Sequence, residues 1–484
     1  MLFNSYVFVL LFFPLCLAGY FGLNYRKHYT LAQLFLLAMS LWFYGFFNPA
    51  YLSIIIVSII LNYGFSMALL SVRSQVLKKL LLAVALCGNV GILFYYKYFD
   101  FFMVNVTALI GMDYTLKNIL LPLGISFFTF QQLSYIIDSY KGEVPKYNFL
   151  QYASFVAYFP QLIAGPIVTH DELVPQFMDE TKKRINWDNM SQGLYMFVLG
   201  MAKKVLIADT FGLAVNWAFA NVGLLDSTNA LIAMMAYTVQ IYFDFSGYCD
   251  MAIGIARMMN FDLPLNFRSP YKAVTIGDFW SRWHMTLTRF FTKYIYIPLG
   301  GSRRGLARTC INTLVVFLIS GIWHGANWTF ILWGCLHGVC MVTEKCFRTY
   351  INKIPRCINW FMTFLFVSLT WVFFRADSIG QAMEFLSRLV SFDFGPINAN
   401  ILAAFELPEL VFMLKQIHLG SMAPKLLLAG FFAAAMVLML GMKNAYEWMG
   451  HFKPTLLNML MISFLLMWCV FSFAGISTFL YFNF

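Results

Sequence analysis

Two histidines are set among residues suited to chemistry. His324 lies in SGIWHGANW, Ser320 to Trp328, flanked by tryptophans and glycines in a stretch otherwise apolar enough for lipid. A titratable ring at membrane depth is costly unless it faces a cavity or a partner, and the ordinary pKa of imidazole suits proton abstraction near neutrality. Gly321 and Gly325 permit close backbone approach around it, and Trp323 and Trp328 are read as cavity walls or interfacial anchors. The plain alternative is a buried histidine bonded to a backbone carbonyl. His284 lies in GDFWSRWHMTLTRFFTKYIYIPLGGSRRG, Gly277 to Gly305. Read as one helix at about 100° per residue, Phe279, Trp280, Trp283, Leu287, Phe290, Phe291 and Tyr294 share a face, opposite a stripe of Arg282, Arg289 and Lys293. The pattern is a basic interfacial helix with His284 at the margin of its apolar face. Binding of anionic headgroups would explain the basic stripe alone. The loop that follows, with Pro298, Gly300, Gly301, Arg303 and Arg304, is suited to phosphates.

Two carboxylates, Asp244 and Asp250, occur in YFDFSGYCDMAIGIARMMNFDLPLNF within or beside an apolar run. Membrane carboxylates are rare, yet helix capping or a salt bridge to Arg257 or Arg268 accounts for them equally well. His337 follows His324 by thirteen residues, roughly 20 Å along one continuous helix and on a different face. It is therefore read as a packing or supporting residue. Nine scattered cysteines, with no C-x-x-C pair, indicate neither a disulfide framework nor a metal site. A proton relay through His324, Asp244 and Asp250 would make the chain a proton-coupled transporter or channel. A membrane scaffold, in which His324 is replaceable, is a third reading.

The elements that must position these residues are membrane helices. The chain is 61% hydrophobic and 11% charged, against roughly 25% charged in soluble proteins. Its net charge of +11 is explained by basic loops on the cytoplasmic side rather than by nucleic acid. The first run, SYVFVLLFFPLCLAGYFGL, lacks the basic leader of a cleaved signal peptide and is read as the first span. Further spans are expected near 31–47, 50–70, 80–96, 119–139, within 190–222, and near 229–247, 311–324, 327–343, 358–374, 425–442 and 455–473. FLQYASFVAYFPQLIAGPIV has basic residues on both sides and reads as re-entrant or interfacial. About twelve crossings result, in a single domain over residues 1–484, with a polar outer segment near 376–424. The two runs around His324 hold only about 14 and 17 residues, where a span needs about 20, so the turn between them is expected below the outer surface.

GDFWSRWHMTLT, FDFSGYCDMAIGIARM and GIWHGANWTFILWG together resemble the membrane-bound O-acyltransferase (MBOAT) family, most closely its bacterial alginate O-acetyltransferase AlgI-like branch. LPLGISFFTFQQLSYIIDSYKG, FPQLIAGPI and the C-terminal TFLYFNF are similar to that branch too, so the motif-bearing core runs over about 120–375. The resemblance implies an all-α ring of about 12 transmembrane helices with short or re-entrant elements and a thinned centre. It implies a cytoplasmic pocket for the acyl donor and a funnel on the outer side. His324 would be the essential histidine and His284 a second functional one. The expected reaction is transfer of an acetyl group from a cytoplasmic thioester, acetyl-CoA or another, for O-acetylation of an exported polysaccharide resembling alginate, cellulose or peptidoglycan. Transfer is direct or through an outer esterase-like relay protein. Arg282, Arg303 and Arg304 would hold the donor's phosphates; Trp323, Gly325, Trp328, Asp244 and Asp250 would support the site. The chemistry requires neither a metal nor a resident cofactor. A bacterial inner membrane, with its lipids, is the expected location, and D-alanyl transfer to teichoic acid is the alternative within the family.

Overall fold

The computed structural model describes residues 1–416, 420, 422–475, 479 and 480. These form helices, turns and loops, with no strand among the described residues, and cluster into two compact units. The first comprises Met1–Leu199, Tyr248–Leu265 and 449–475; the second comprises Gly200–Gly247 and Asn266–Trp448, with Phe479 and Leu480. Most of the TFLYFNF motif lies outside the described residues.

In the first unit, α1 (Phe8–Tyr25), α3 (Ala50–Ser71) and α4 (Gln75–Ile110) are long and apolar enough to cross a membrane, and α2 (Tyr29–Gly45) is a shorter apolar helix. The run expected to end near residue 96 instead continues, through a π-turn at Phe94–Tyr98, to Ile110. α5 (Ile125–Lys141) is enclosed on nearly every side, and several of its polar side chains are paired there. Gln132 Nε2 donates to Ser58 Oγ at 3.0 Å, the Ser139 and Ser66 hydroxyls meet at 2.8 Å, and beside them Asn62 and Asn89 exchange amide hydrogen bonds. Pairing is what permits such burial. The FLQYASFVAYFPQLIAGPIV stretch forms α6 (Phe149–Ala157) and a further turn, Phe159–Leu162, broken at Tyr158. Neither is of spanning length. α7 (His170–Met178) follows, closed by a capping box between Thr169 and Glu172.

The second unit takes the first two-thirds of α8 (Ser227–Met258), then α9 (Ile276–Arg282), α10 (Met285–Phe291), α11 (Gly305–His324), α12 (Trp328–Cys346), α13 (Arg356–Arg375) and α14 (Ala423–Gly441). Its core is aromatic. Trp371 stacks on Trp333 at 5.8 Å and packs against Trp283 at 5.1 Å, and Phe279 stacks on Trp283 at 5.5 Å. The polar edges are satisfied in a chain, since the Trp371 indole donates to the Tyr271 hydroxyl, which donates to Thr238 O. Among the described residues six helices are long and apolar enough to span, with two shorter apolar ones, so the expected twelve crossings are not reproduced by length and composition. The shortfall has a physical reason. α5 and α8 bury polar side chains such as Gln132, Asp138, Gln240 and Asp244 against neighbours, which makes their sequences too polar to read as lipid-facing.

Candidate active site

The W-H-G turn joins α11 to α12 as a hairpin whose helices meet backbone to backbone. A Cβ at Gly321 would lie 2.5 Å from Phe330 O, and one at Gly334 would lie 2.5 Å from Phe317 O. Gly325 faces the Phe330 ring, which a Cβ would meet at 2.2 Å. Gly321 and Gly334 therefore exclude any side chain, and one at Gly325 would displace the Phe330 ring. Asn327 starts α12: its Oδ1 accepts from Thr329 N at 3.0 Å while its Nδ2 donates to Asp377 O at 2.8 Å. The expectation of two short helices is overturned. α11 has 20 residues and α12 has 19, so α11 rises about 30 Å, because Arg308 and Thr309 extend the helix beyond its apolar run. His324 stands at the opposite end of α11 from Arg303, Arg304 and Arg308.

His324 is buried, with the Trp323, Trp333 and Phe374 rings at 5.0, 5.1 and 5.1 Å. The Trp333 indole N–H, wholly buried, meets no acceptor among the described residues. Trp323 is buried and lies against both histidines, its ring 6.1 Å from that of His284. Trp328 is half exposed.

His284 does not sit on one long helix. α9 ends at Arg282, α10 begins at Met285, and His284 between them has a left-handed backbone, φ +46°. A buried asparagine, Asn266, organises the break. Its backbone O accepts from Met285 N at 3.0 Å; its Oδ1 accepts from Thr286 N at 3.2 Å and Thr286 Oγ1 at 2.9 Å. Since Thr286 N can only donate, that atom is an oxygen, and the His284 Nδ1 placed 3.1 Å from it carries the proton. Nε2 is then the basic nitrogen of His284. The apolar face expected of the single helix is nonetheless real, for Phe279, Trp280, Trp283, Leu287, Phe290 and Phe291 are all buried. His337 is a supporting residue: the Trp280 indole donates to its Nδ1 at 3.2 Å, so Nε2–H donates to Thr370 Oγ1 at 2.9 Å.

A pocket of about 240 Å³ opens between α9, α10, α11 and α12, lined by Trp280, Phe317, Ser320, Thr313 and Lys345 among others. Ser320 is one helical turn from His324, and behind Trp280 stands Trp333, 5.6 Å away, which touches His324. Lys345 Nζ donates to Thr313 Oγ1 at 2.7 Å within this pocket. Arg303 and Arg304 are exposed in a turn that Gly300, Gly301 and Gly305 make with positive φ. Arg282 is partly committed, its Nε 2.6 Å from Asp278 Oδ1.

The carboxylates part company. Asp244 lies in the second unit and Asp250 in the first, both buried. Asp244 pairs with neither Arg257 nor Arg268: its Oδ1 is 2.7 Å from Lys204 Nζ, which also contacts Asp209 at 2.6 Å, and its Oδ2 accepts from Leu480 N at 3.0 Å. Arg257 instead joins Asp262 and Gln192. Sequence reasoning missed Lys204, Asn266, Trp333 and Phe374. A lysine in the apolar stretch 190–222 was a visible signal for the first, and Trp333 stands inside GIWHGANWTFILWG; nothing local marked the other two.

The sequence profile of the membrane-bound O-acyltransferase family matches residues 1–376. The peptidoglycan O-acetyltransferase of Helicobacter pylori is 41% identical over 420 residues, covering 81% of this chain and 80% of that protein. The protein named "Probable alginate O-acetylase AlgI" of Pseudomonas aeruginosa is 39% identical over 404 residues, 81% of this chain and 75% of that one. The teichoic acid D-alanyltransferase of Bacillus subtilis is 28% identical over 251 residues, 49% of this chain and 62% of that one.

Proposed function

Since this chain belongs to the membrane-bound O-acyltransferase family, we propose that it moves an acetyl group from a cytoplasmic thioester to a hydroxyl of an exported polysaccharide, with His324 as general base. It is a multi-pass membrane acyltransferase. The observation that carries the assignment is the enclosure of His284 and His324 against one indole, Trp323, with the buried Trp333 N–H beside His324. His324 takes the acceptor's hydroxyl proton as that oxygen attacks the thioester carbonyl; the tetrahedral intermediate collapses, the C–S bond breaks and the thiolate leaves. Trp333 N–H is the donor for the oxyanion, where a preorganised dry hydrogen bond is most effective. His284 positions the thioester from the other side of Trp323.

Acetyl-CoA, or another acyl thioester, is the donor, and the pocket bounded by Ser320 and Lys345 receives its arm. Arg303 and Arg304 meet the phosphates, with the part of the Arg282 guanidinium that Asp278 leaves available. Because α11 and α12 are of full length, access to His324 rests on the depth of this pocket rather than on short helices. The acceptor is a cell-envelope glycan such as those in the names of the peptidoglycan and alginate relatives, reached directly or through an outer relay protein, at a bacterial inner membrane. D-alanyl transfer has weaker support, the corresponding relative matching half the chain. The transport reading loses its relay, since the Asp244 carboxylate is committed to Lys204 and Leu480. The test is surface O-acetylation in cells carrying His324→Ala or His324→Gln at normal membrane abundance: both abolish it, and full activity in either sinks the assignment.

A further inference from the structure

A second cavity lies wholly within the first unit. It is large, about 1200 Å³, beyond the roughly 300–1,000 Å³ of ordinary small-molecule sites, and its lining is divided by chemistry. One end is apolar, formed by Leu17, Ala18 and Phe21 on the second half of α1. The other end is a basic rim of Lys27, which follows α1, and Lys183 and Arg184, with Glu180 the single carboxylate among the lining residues. The rim is preformed: Lys27 holds a left-handed turn at φ +61°, and Lys183 Nζ sits 4.0 Å over the Tyr29 ring. Tyr25, one of the lining residues, is exposed, as aromatic side chains are at the headgroup level. Both basic segments are ones that the charge distribution assigns to the cytoplasmic side, where the leaflet is anionic.

We propose that this cavity binds one anionic phospholipid of the inner leaflet, its phosphodiester between Lys27, Lys183 and Arg184 and an acyl chain along Leu17, Ala18 and Phe21. A free phosphate compound uses only the rim. The apolar half, continuous with the lipid-facing side of α1 through the exposed Ala18 and Gly22, is what selects an amphiphile. The site has no part in the acyl-transfer reading and stands whether or not that reading holds.

The full-length protein, purified in mild detergent, is titrated with phosphatidylglycerol or with phosphatidylcholine of identical chains, and the adducts are read by native mass spectrometry. Phosphatidylglycerol is retained at collision energies that strip phosphatidylcholine. Lys27→Asn, which tolerates the left-handed turn, combined with Lys183→Gln and Arg184→Gln lowers affinity for phosphatidylglycerol about a hundredfold, at about fivefold per basic residue. Gly22→Leu tests the apolar half without touching a charge, since a Cβ there meets no atom within 4 Å; it weakens phosphatidylglycerol binding while the protein's melting temperature is unchanged. Should the triple variant fail to fold, Gly22→Leu decides alone. Glycerophosphate and coenzyme A, added at the lipid's concentration, leave the adduct in place. Retention of phosphatidylglycerol by Gly22→Leu at the wild-type level overturns the proposal, and so does displacement by glycerophosphate, which makes the rim a simple phosphate site, or by coenzyme A, which reassigns the cavity to a nucleotide.

Discussion

His170 in the first unit and His324 in the second are equally buried, and the kind of neighbour separates them. His170 lies against the Tyr135 and Tyr147 rings, with Asp138 Oδ2 3.6 Å from its Nε2 and the Tyr147 hydroxyl 3.4 Å from its Nδ1. Against His324 lie two indoles and a phenyl ring, those of Trp323, Trp333 and Phe374. His337 and His284 repeat the contrast at closer range, the one bonded through both nitrogens to Trp280 and Thr370, the other committed to Asn266 through Nδ1. Burial by itself does not distinguish a structural joint from a reactive group. An imidazole engaged at both nitrogens, as that of His337 is, has nothing left to exchange with a substrate.

The contrast can be broken by substitution. His324→Ala should lower turnover by at least about 10²- to 10⁴-fold, the range of general-base catalysis, with protein abundance unchanged; His324→Gln should fare no better, whereas recovery with glutamine would return His324 to the class of His170. His170→Leu should do the reverse, lowering unfolding stability by about 1–3 kcal/mol as buried polar groups lose a contact, while turnover per folded molecule holds. Thermal melting and activity normalised to folded protein check this, and a selective loss of turnover would erase the distinction. Trp333→Phe keeps the aromatic enclosure and removes only its N–H, so turnover should fall about 10²- to 10³-fold with little change in KM. An unaltered rate would leave Trp333 as packing alone. Arg303→Ala and Arg304→Ala should each weaken thioester binding about ten- to a hundredfold, flatten its salt dependence and leave the acceptor's KM unchanged, as measured by titration at two ionic strengths.

How much was legible follows from how local each determinant is. The W-H-G turn could be read because its glycines, its histidine and Asn327 lie within a few residues and the reason for each is steric or capping. The length of α11 could not, because counting apolar residues stops where Arg308 enters, while the helix does not. The break at His284 was hidden for a similar reason: the local pattern is that of one amphipathic helix, and Asn266, eighteen residues earlier, is what interrupts it. Asp244 was noticed as a carboxylate in an apolar run, but its cation came from Lys204 and not from the nearer arginines of its own segment. The number of crossings is not fixed by length and composition either. α5 and α8 are apolar enough to attract attention, and their polar side chains disclose their purpose only once partners are known.

The Leu480 N–H that reaches Asp244 is 236 residues away in sequence. A ribosome adding about 5 to 20 residues per second delivers Lys204 and Asp209 before Asp244, then takes roughly 10 to 50 seconds to reach Leu480. Throughout that interval the carboxylate has its lysine but lacks its backbone donor, and Phe245, which packs on His284, lacks its neighbour Phe479. Completion of the second unit is thus timed by translation, and a nascent chain stalled before Phe479 would present quality-control proteases with an unfinished protein whose histidines are all already made.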